Sequence, residues 1–257
     1  ISLRFDELST LFHLTPLEAE TILVGLAPEL DLRYERLYAY LQDDVSQKRP
    51  RVDLVLNLLC SSWEEKISAR EFFGPRAPLR RNRLIRLEED GLPSPLLAKH
   101  LRVEEGAVNF LLGADELPEP LLPYARFLEP STRLEDLVLP LDFKERLTLL
   151  AHSAGKDPLI LYFQGPYGAG KKATAEALCR EMGVGLVFVD GQHLGEAAED
   201  VYESLVMLAD REARLRKAAL YWEGFDSLLG EDRGVRRRVL LERLEEREGL
   251  AFLSGKE

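Results

Sequence analysis

The sequence predicts a chain in two parts, a mostly helical N-terminal domain ending in a winged-helix-like region and an α/β module built on a parallel sheet. Three observations predict it. Helix-start chemistry and helical apolar spacing govern the first 75 or so residues. Closely spaced prolines then interrupt the chain at Leu117-Pro118-Glu119-Pro120-Leu121-Leu122-Pro123. Beyond that break, short apolar runs alternate with helical patterns, and the first run passes directly into a glycine-rich turn.

In the N-terminal part, Thr15, Pro16 and Glu18 supply an N-cap, a proline at the first helical position and the glutamate of a capping box. Tyr34, Leu37, Tyr38 and Leu41 recur at helical spacing, and Val52 to Leu59 continues the apolar pattern. Residues 83–87 and 97–103 read as strands and residues 104–112 as a helix, which suggests a winged helix. The expected boundaries are therefore a helical and winged-helix domain over 1–116, a proline-rich linker over 117–133 and the α/β module over 134–257.

Composition bounds the function. The chain has 257 residues, 46% of them hydrophobic, which suffices for about two folded domains. Its 34 Lys and Arg against 45 Asp and Glu give a formal charge of -11, which argues against nucleic acid or an anionic membrane as the main partner. The basic cluster Arg76, Arg80, Arg81, Arg83 and Arg86 is the one feature favouring DNA phosphates, and beside Glu88, Glu89 and Asp90 it reads better as a solvated or interdomain face. Two cysteines, Cys60 and Cys179, and four scattered histidines provide neither a disulfide framework nor zinc-ligand spacing, so a cytoplasmic setting is expected. No apolar run approaches the roughly 18 residues of a membrane-spanning helix. The chain begins at Ile1 and ends at Glu257 just after an apolar run, and it reads as a fragment.

Chemistry concentrates in the second part. The buried-strand pattern of residues 158–163 leads into Gly165-Pro166-Tyr167-Gly168-Ala169-Gly170-Lys171-Lys172, with a helix expected from Ala173 to Met182. Strand, glycine-rich loop, lysine and helix stand in the order of a P-loop, or Walker A motif. Glycines let backbone N–H groups turn toward phosphates, while the helix N-terminus and the Lys171 ammonium offset their charge. The candidate nucleotide-binding residues are Gly165, Pro166, Tyr167, Gly168, Ala169, Gly170, Lys171, Lys172 and Ala173, with Glu223 from a later segment. The position after the lysine ordinarily carries Ser or Thr to ligate Mg²⁺, and here it is Lys172, so ATP or ADP is expected with little or no role for Mg²⁺.

The second and third strands are expected over 186–189 and 218–222, separated by a helix over 197–216. The third runs into Glu223-Gly224-Phe225-Asp226, in the place of a Walker B segment. Glu223 replaces the aspartate of the metal shell, and Gly224 replaces the glutamate that polarises the attacking water. Loss of a positioned general base costs on the order of 10² to 10⁴ in rate, so a hydrolysis-defective module with no catalytic residues and no metal site is expected. On this reading Lys172→Thr with Gly224→Glu restores both functions. Asp226 is expected to bond locally or cap the next helix, and Arg236, Arg237 and Arg238 to form solvated ion pairs.

The stretch from Leu26 to Leu41, the loop from Gly165 to Ala173 and Ala218-Ala219-Leu220-Tyr221 resemble the N-terminal part of a bacterial AAA+ family ATPase with an N-terminal winged-helix region, of the kind associated with contractile injection systems. The resemblance implies a divergent first ATPase module followed by an intact second one, self-association into a ring, and a protein partner for the N-terminal domain. It implies that Gly165, Gly168, Gly170 and Lys171 contact phosphate and that Glu223 is the surviving acid. It assigns neither the sensor, for which Ser254, Lys256 and Glu257 stand nearest, nor an arginine finger. A nucleotide-free scaffold, an active ATPase and, with least support, a DNA-binding regulator are the alternatives.

Overall fold

Thr15 starts the best-defined helix of the N-terminal part. Its side chain accepts from the Glu18 N–H while Glu18 reaches back to the Thr15 N–H at 2.9 Å, so two helix-end donors are satisfied reciprocally. The computed structural model that shows this describes residues 2–114, 116–153 and 158–256. Its contacts divide the chain into two units, Ile1–Glu116 and Leu117–Glu257.

In the first unit, helices α1 (Ser2–Leu11), α2 (Pro16–Leu30), α3 (Arg33–Leu41), α4 (Val52–Leu59), α5 (Trp63–Ala69) and α6 (Pro78–Arg81) precede an antiparallel pair, β1 (Ile85–Glu88) and β2 (His100–Val103), and helix α7 (Glu105–Leu112). Leu8, Ile22, Leu26, Val55, Leu84 and Leu101 are each at most 1% exposed, so both the helices and the pair contribute to one core. Residues 97–99, expected in the second strand, instead follow Pro95 through a 3₁₀ turn (Leu96–Ala98), and pairing begins only at His100. Three arginines of the basic cluster are tied to their own unit: Arg80 donates to the Phe73 carbonyl, while Arg83 and Arg86 lie 3.7 and 3.4 Å from the buried carboxylate of Glu104.

The second unit contains β3 (Ala125–Leu128), α8 (Leu141–Ser153), β4 (Pro158–Gln164), α9 (Lys171–Glu181), β5 (Leu186–Asp190), α10 (Gly191–Leu194), α11 (Glu199–Leu215), β6 (Ala219–Glu223), α12 (Gly234–Glu245) and β7 (Gly249–Gly255). Its sheet runs β3-β5-β6-β7-β4, parallel except for β3. Strands β4 and β5 follow one another in sequence yet stand three places apart, with β6 and β7 between them.

Alternation along the strands explains the two helical layers. Val187, Val189, Leu220, Trp222, Ala251 and Leu253 face α11 and α12, while Leu186, Phe188, Ala219, Tyr221, Leu250 and Phe252 face α8 and α9. The segment 117–133 is a correction to the expected linker. Its prolines do suppress helix, leaving a 3₁₀ turn (Glu119–Leu121), but Leu117, Leu121 and Ala125 enter the core and β3 pairs with β5. Buried residues spaced by prolines do not read as an element in sequence, so the strand was invisible to apolar periodicity.

Among the described residues, no helix is long and apolar enough to cross a membrane.

Candidate functional site

A loop of six residues, 165–170, joins the end of β4 to the start of α9. Gly165, Gly168 and Gly170 take φ of +154°, +83° and +83°, and Gly170 occupies the N-cap of α9 in the left-handed region with no side-chain cap bond. An uncapped helix end leaves backbone donors facing outward, which favours an anion there. The loop is tied to β7 by the Gly165 N–H, which donates to the Gly255 carbonyl at 3.2 Å.

Lys171 opens α9, and its ammonium donates to the Gly165 carbonyl at 2.5 Å and the Pro166 carbonyl at 2.9 Å. The positive charge therefore lies within the turn of the loop. Lys172 points elsewhere: its Nζ is 3.6 Å from Glu176 and 4.9 Å from the centroid of the Phe188 ring. It offers no oxygen to a cation, and the nearest hydroxyl along the helix, Thr174, is buried and donates to the Gly170 carbonyl at 2.9 Å. The donor set at the head of α9 suits a phosphate and does not suit a metal ion.

Beside Lys171 lies a cavity of about 400 Å³ at the carboxyl ends of the parallel strands. The loop contributes Tyr167 and Lys171, the end of β5 contributes Asp190 and Gln192, and the end of β6 contributes Glu223, Gly224, Asp226 and Ser227. Strand β7 contributes Ser254 and Gly255, and Lys256 follows directly after it. Of the residues expected from sequence, the structure thus brings Tyr167, Lys171 and Glu223 to the cavity. Gly165, Pro166, Gly168, Ala169 and Gly170 form the loop behind them, and Lys172 and Ala173 belong to the first turn of α9.

Asp190, Gln192, Ser227 and Gly255 are lining residues that motif matching missed, while Ser254 and Lys256, nearest the sensor position in sequence, also line the cavity. The last residues of successive parallel strands carry the information that would have found them, because each strand end points at the same crevice. Asp190 also accepts from the His193 N–H at 2.9 Å and so caps α10. Asp226, expected to act only locally, also faces the cavity, where a Cβ built on Gly255 would stand 3.3 Å from its Oδ1. Glu257 lies outside the described residues.

Gly224 is not an ordinary strand residue that has lost its side chain. It adopts φ +73° at the head of a 3₁₀ turn (Phe225–Leu228), and a Cβ there would approach the Gln192 Cβ to 3.3 Å. This corrects the expectation that Gly224→Glu restores a general base, because an L side chain in the left-handed region costs about 1–2 kcal/mol before any crowding. We expect Gly224→Glu, alone or with Lys172→Thr, to lower the melting temperature by about 3–8 °C and to yield no ATPase activity. Unchanged melting together with measurable phosphate release would contradict this.

The arginines of α12 correct another expectation. Arg236 donates to the carbonyls of Gly195 and Ala197 and stacks 5.3 Å over Tyr202, and Arg237 donates to the carbonyls of Leu228 and Leu229. They pin α12 to neighbouring turns rather than forming solvated ion pairs, because their planar forks match carbonyl groups the turns leave exposed.

The loop, its lysine and the parallel sheet define the second unit as an α/β fold of the P-loop type. Residues 1–125 match the family model of a variant winged helix domain. Among solved structures, the chain is similar to one described as the structural basis for katanin self-assembly, at 19% identity over 49% of this chain and 46% of that one, with a TM-score of 0.38. It is also similar to the crystal structure of the FIGL-1 AAA domain, at 16% identity over 55% of each chain, with a TM-score of 0.44. The chain thus spans about half the length of these two structures. No curated protein matches it.

Proposed function

We propose that the second unit is a divergent AAA+ module that binds ATP or ADP without hydrolysing it, and that it serves as a regulatory or assembly part of a larger AAA+ ATPase. The observation that carries this reading is Lys171, placed at the uncapped head of α9 beside a strand-end cavity whose expected metal-ligand and general-base positions hold Lys172 and Gly224. Charge-assisted contacts from an ammonium and from helix N–H groups hold phosphate oxygens without a metal. Phosphoryl transfer needs more: charge neutralisation across the β- and γ-phosphates and a positioned water.

On this reading the winged-helix unit docks a protein partner and the module self-associates into a ring, both by family analogy. Nucleic acid is not the partner we favour, since Arg80, Arg83 and Arg86 are spent within their own unit. The second reading is a nucleotide-free scaffold, favoured by the self-contained bonds of Lys171 to the Gly165 and Pro166 carbonyls.

A phosphate-release assay at saturating ATP, run beside equilibrium binding, tests the proposal. The expected result is saturable binding with turnover indistinguishable from buffer. Sustained turnover by the purified chain would overturn the hydrolysis-defective assignment, and absence of binding would favour the scaffold.

A further inference from the structure

Helix α3 turns its apolar side outward. Tyr34, Leu37, Tyr38 and Leu41 recur at helical spacing, yet of these only Tyr38 is buried, and its hydroxyl donates to the Val24 carbonyl of α2 at 2.7 Å. Tyr34, Leu37 and Leu41 are 41%, 46% and 46% exposed, and Tyr40 is 81% exposed. At about 3.6 residues per turn, Leu37, Tyr40, Leu41 and Tyr34 fall on the side opposite the buried Ala39, so they form one surface. A contiguous apolar surface marks an interaction site, whereas single exposed residues do not. The helix end is fixed, since the Gln42 amide donates to the Tyr38, Gln47 and Arg49 carbonyls and accepts from the Arg51 N–H. A fixed surface loses little freedom on binding.

The charges on α3 are sorted by side. Its one acid, Glu35, falls between Tyr38 and Ala39 and pairs with Lys48 at 3.7 Å. Arg33 and Arg36 stand on the outward side. The Arg33 side chain stays 86% exposed beside Asp31, and Arg36 is exposed and makes no ion pair among the described residues.

Resting on the reading that the N-terminal unit docks a protein partner, we infer that the outward face of α3 is the docking surface and that its occupant is an amphipathic helix of another protein, with an apolar stripe flanked by acidic side chains. Leu37, Tyr40 and their neighbours cover the stripe, and Arg33 and Arg36 meet the carboxylates. Tyr and Arg are also the residue types that carry most of the binding energy at interfaces. A second copy fits worse: two-fold pairing sets the arginines of one α3 face against those of the other, with no α3 carboxylate between them.

The test is fluorescence anisotropy of labelled synthetic peptides titrated with the whole chain. One peptide carries Leu at helical spacing flanked by Glu, a second carries Lys in place of Glu, and a third is a scramble of the first. Wild type is expected to bind the Glu peptide saturably and to prefer it to the other two. Tyr40→Ala is expected to weaken that binding by about tenfold or more, as loss of a central aromatic contact does. Arg36→Glu is expected to reverse the preference toward the Lys peptide, an effect that a general loss of structure would not produce. Trp63→Ala, at an exposed aromatic on α5, is expected to change nothing, and all of these surface variants to melt as wild type does.

If the Glu peptide binds but responds to neither α3 variant, the unit docks partners through another surface, so the docking reading stands and the α3 assignment falls. If no peptide binds, or the scramble binds equally well, the α3 assignment is overturned while the nucleotide reading, tested by its own titration, is untouched. Sedimentation of the chain that reveals a dimer abolished by Tyr40→Ala would make a second copy the occupant and overturn the inference.

Discussion

Asp210→Ala is expected to destabilise the second unit by about 3–5 kcal/mol, the cost of leaving buried charges without their partner. Asp210 is fully buried on α11 and faces three guanidinium groups: Arg214 Nε at 3.0 Å, Arg243 Nε at 2.7 Å and Arg247 Nη1 at 3.4 Å. The two Nε contacts meet Oδ2 outside hydrogen-bond geometry, so the attraction is mainly Coulombic. Burial pulls the pKa of Arg243 and of Arg247 below the usual arginine value, and Asp210 is the main opposing influence on both. Removing its charge takes from two interior guanidiniums their main counter-ion, although Arg243 stays 3.8 Å from Glu246 and Arg247 retains a bond to the Ala218 carbonyl at 3.0 Å. Asp210→Asn is expected to cost nearly as much, because an amide keeps the shape but not the charge. Denaturant unfolding followed by tryptophan fluorescence from Trp222, which is buried in this unit, reads the change directly. A loss below about 1 kcal/mol, the range of an exposed ion pair, would contradict the cost assigned to this buried cluster.

Lys171→Ala is expected to reduce nucleotide affinity by about tenfold to a hundredfold while leaving the fold intact, as removal of a charge-assisted phosphate contact does. The ammonium bonds only to backbone carbonyls of the loop and packs no core, so its loss removes a ligand contact more than a structural one. The same geometry sets a condition on binding. Lys171 must leave the Gly165 and Pro166 carbonyls for a phosphate, which makes the site weaker than one whose lysine is already free. Unaltered affinity in Lys171→Ala would place any bound nucleotide elsewhere. A large fall in melting temperature would instead assign the lysine a structural role in closing the loop.

Much of the second unit was legible because local signals agree with the fold. Strands β5, β6 and β7 carry apolar runs buried on both faces, the edge strand β4 is apolar as well, and the loop's glycines occur where the backbone needs positive φ. The P-loop position of Lys171 followed from the same local order. What the sequence concealed was non-local. Two of the three partners of Asp210 lie on α12 and in the turn after it, and the lining residues Asp190, Ser254, Gly255 and Lys256 meet only because the sheet order sets β7 between β6 and β4. Gly224 shows a further limit: in sequence it looks like a deleted glutamate, whereas its backbone conformation excludes a simple reversal. The linker failed for a related reason, since Leu117, Leu121 and Ala125 are buried by contacts with distant strands.

The most direct measurement of the central claim is calorimetric titration of the chain with ATP, in EDTA and again in excess Mg²⁺. The account predicts saturable binding of similar affinity in both, because neither Lys172 nor Gly224 supplies the oxygen ligands through which a metal would strengthen it. Binding that requires Mg²⁺, or no binding in either condition, would contradict it.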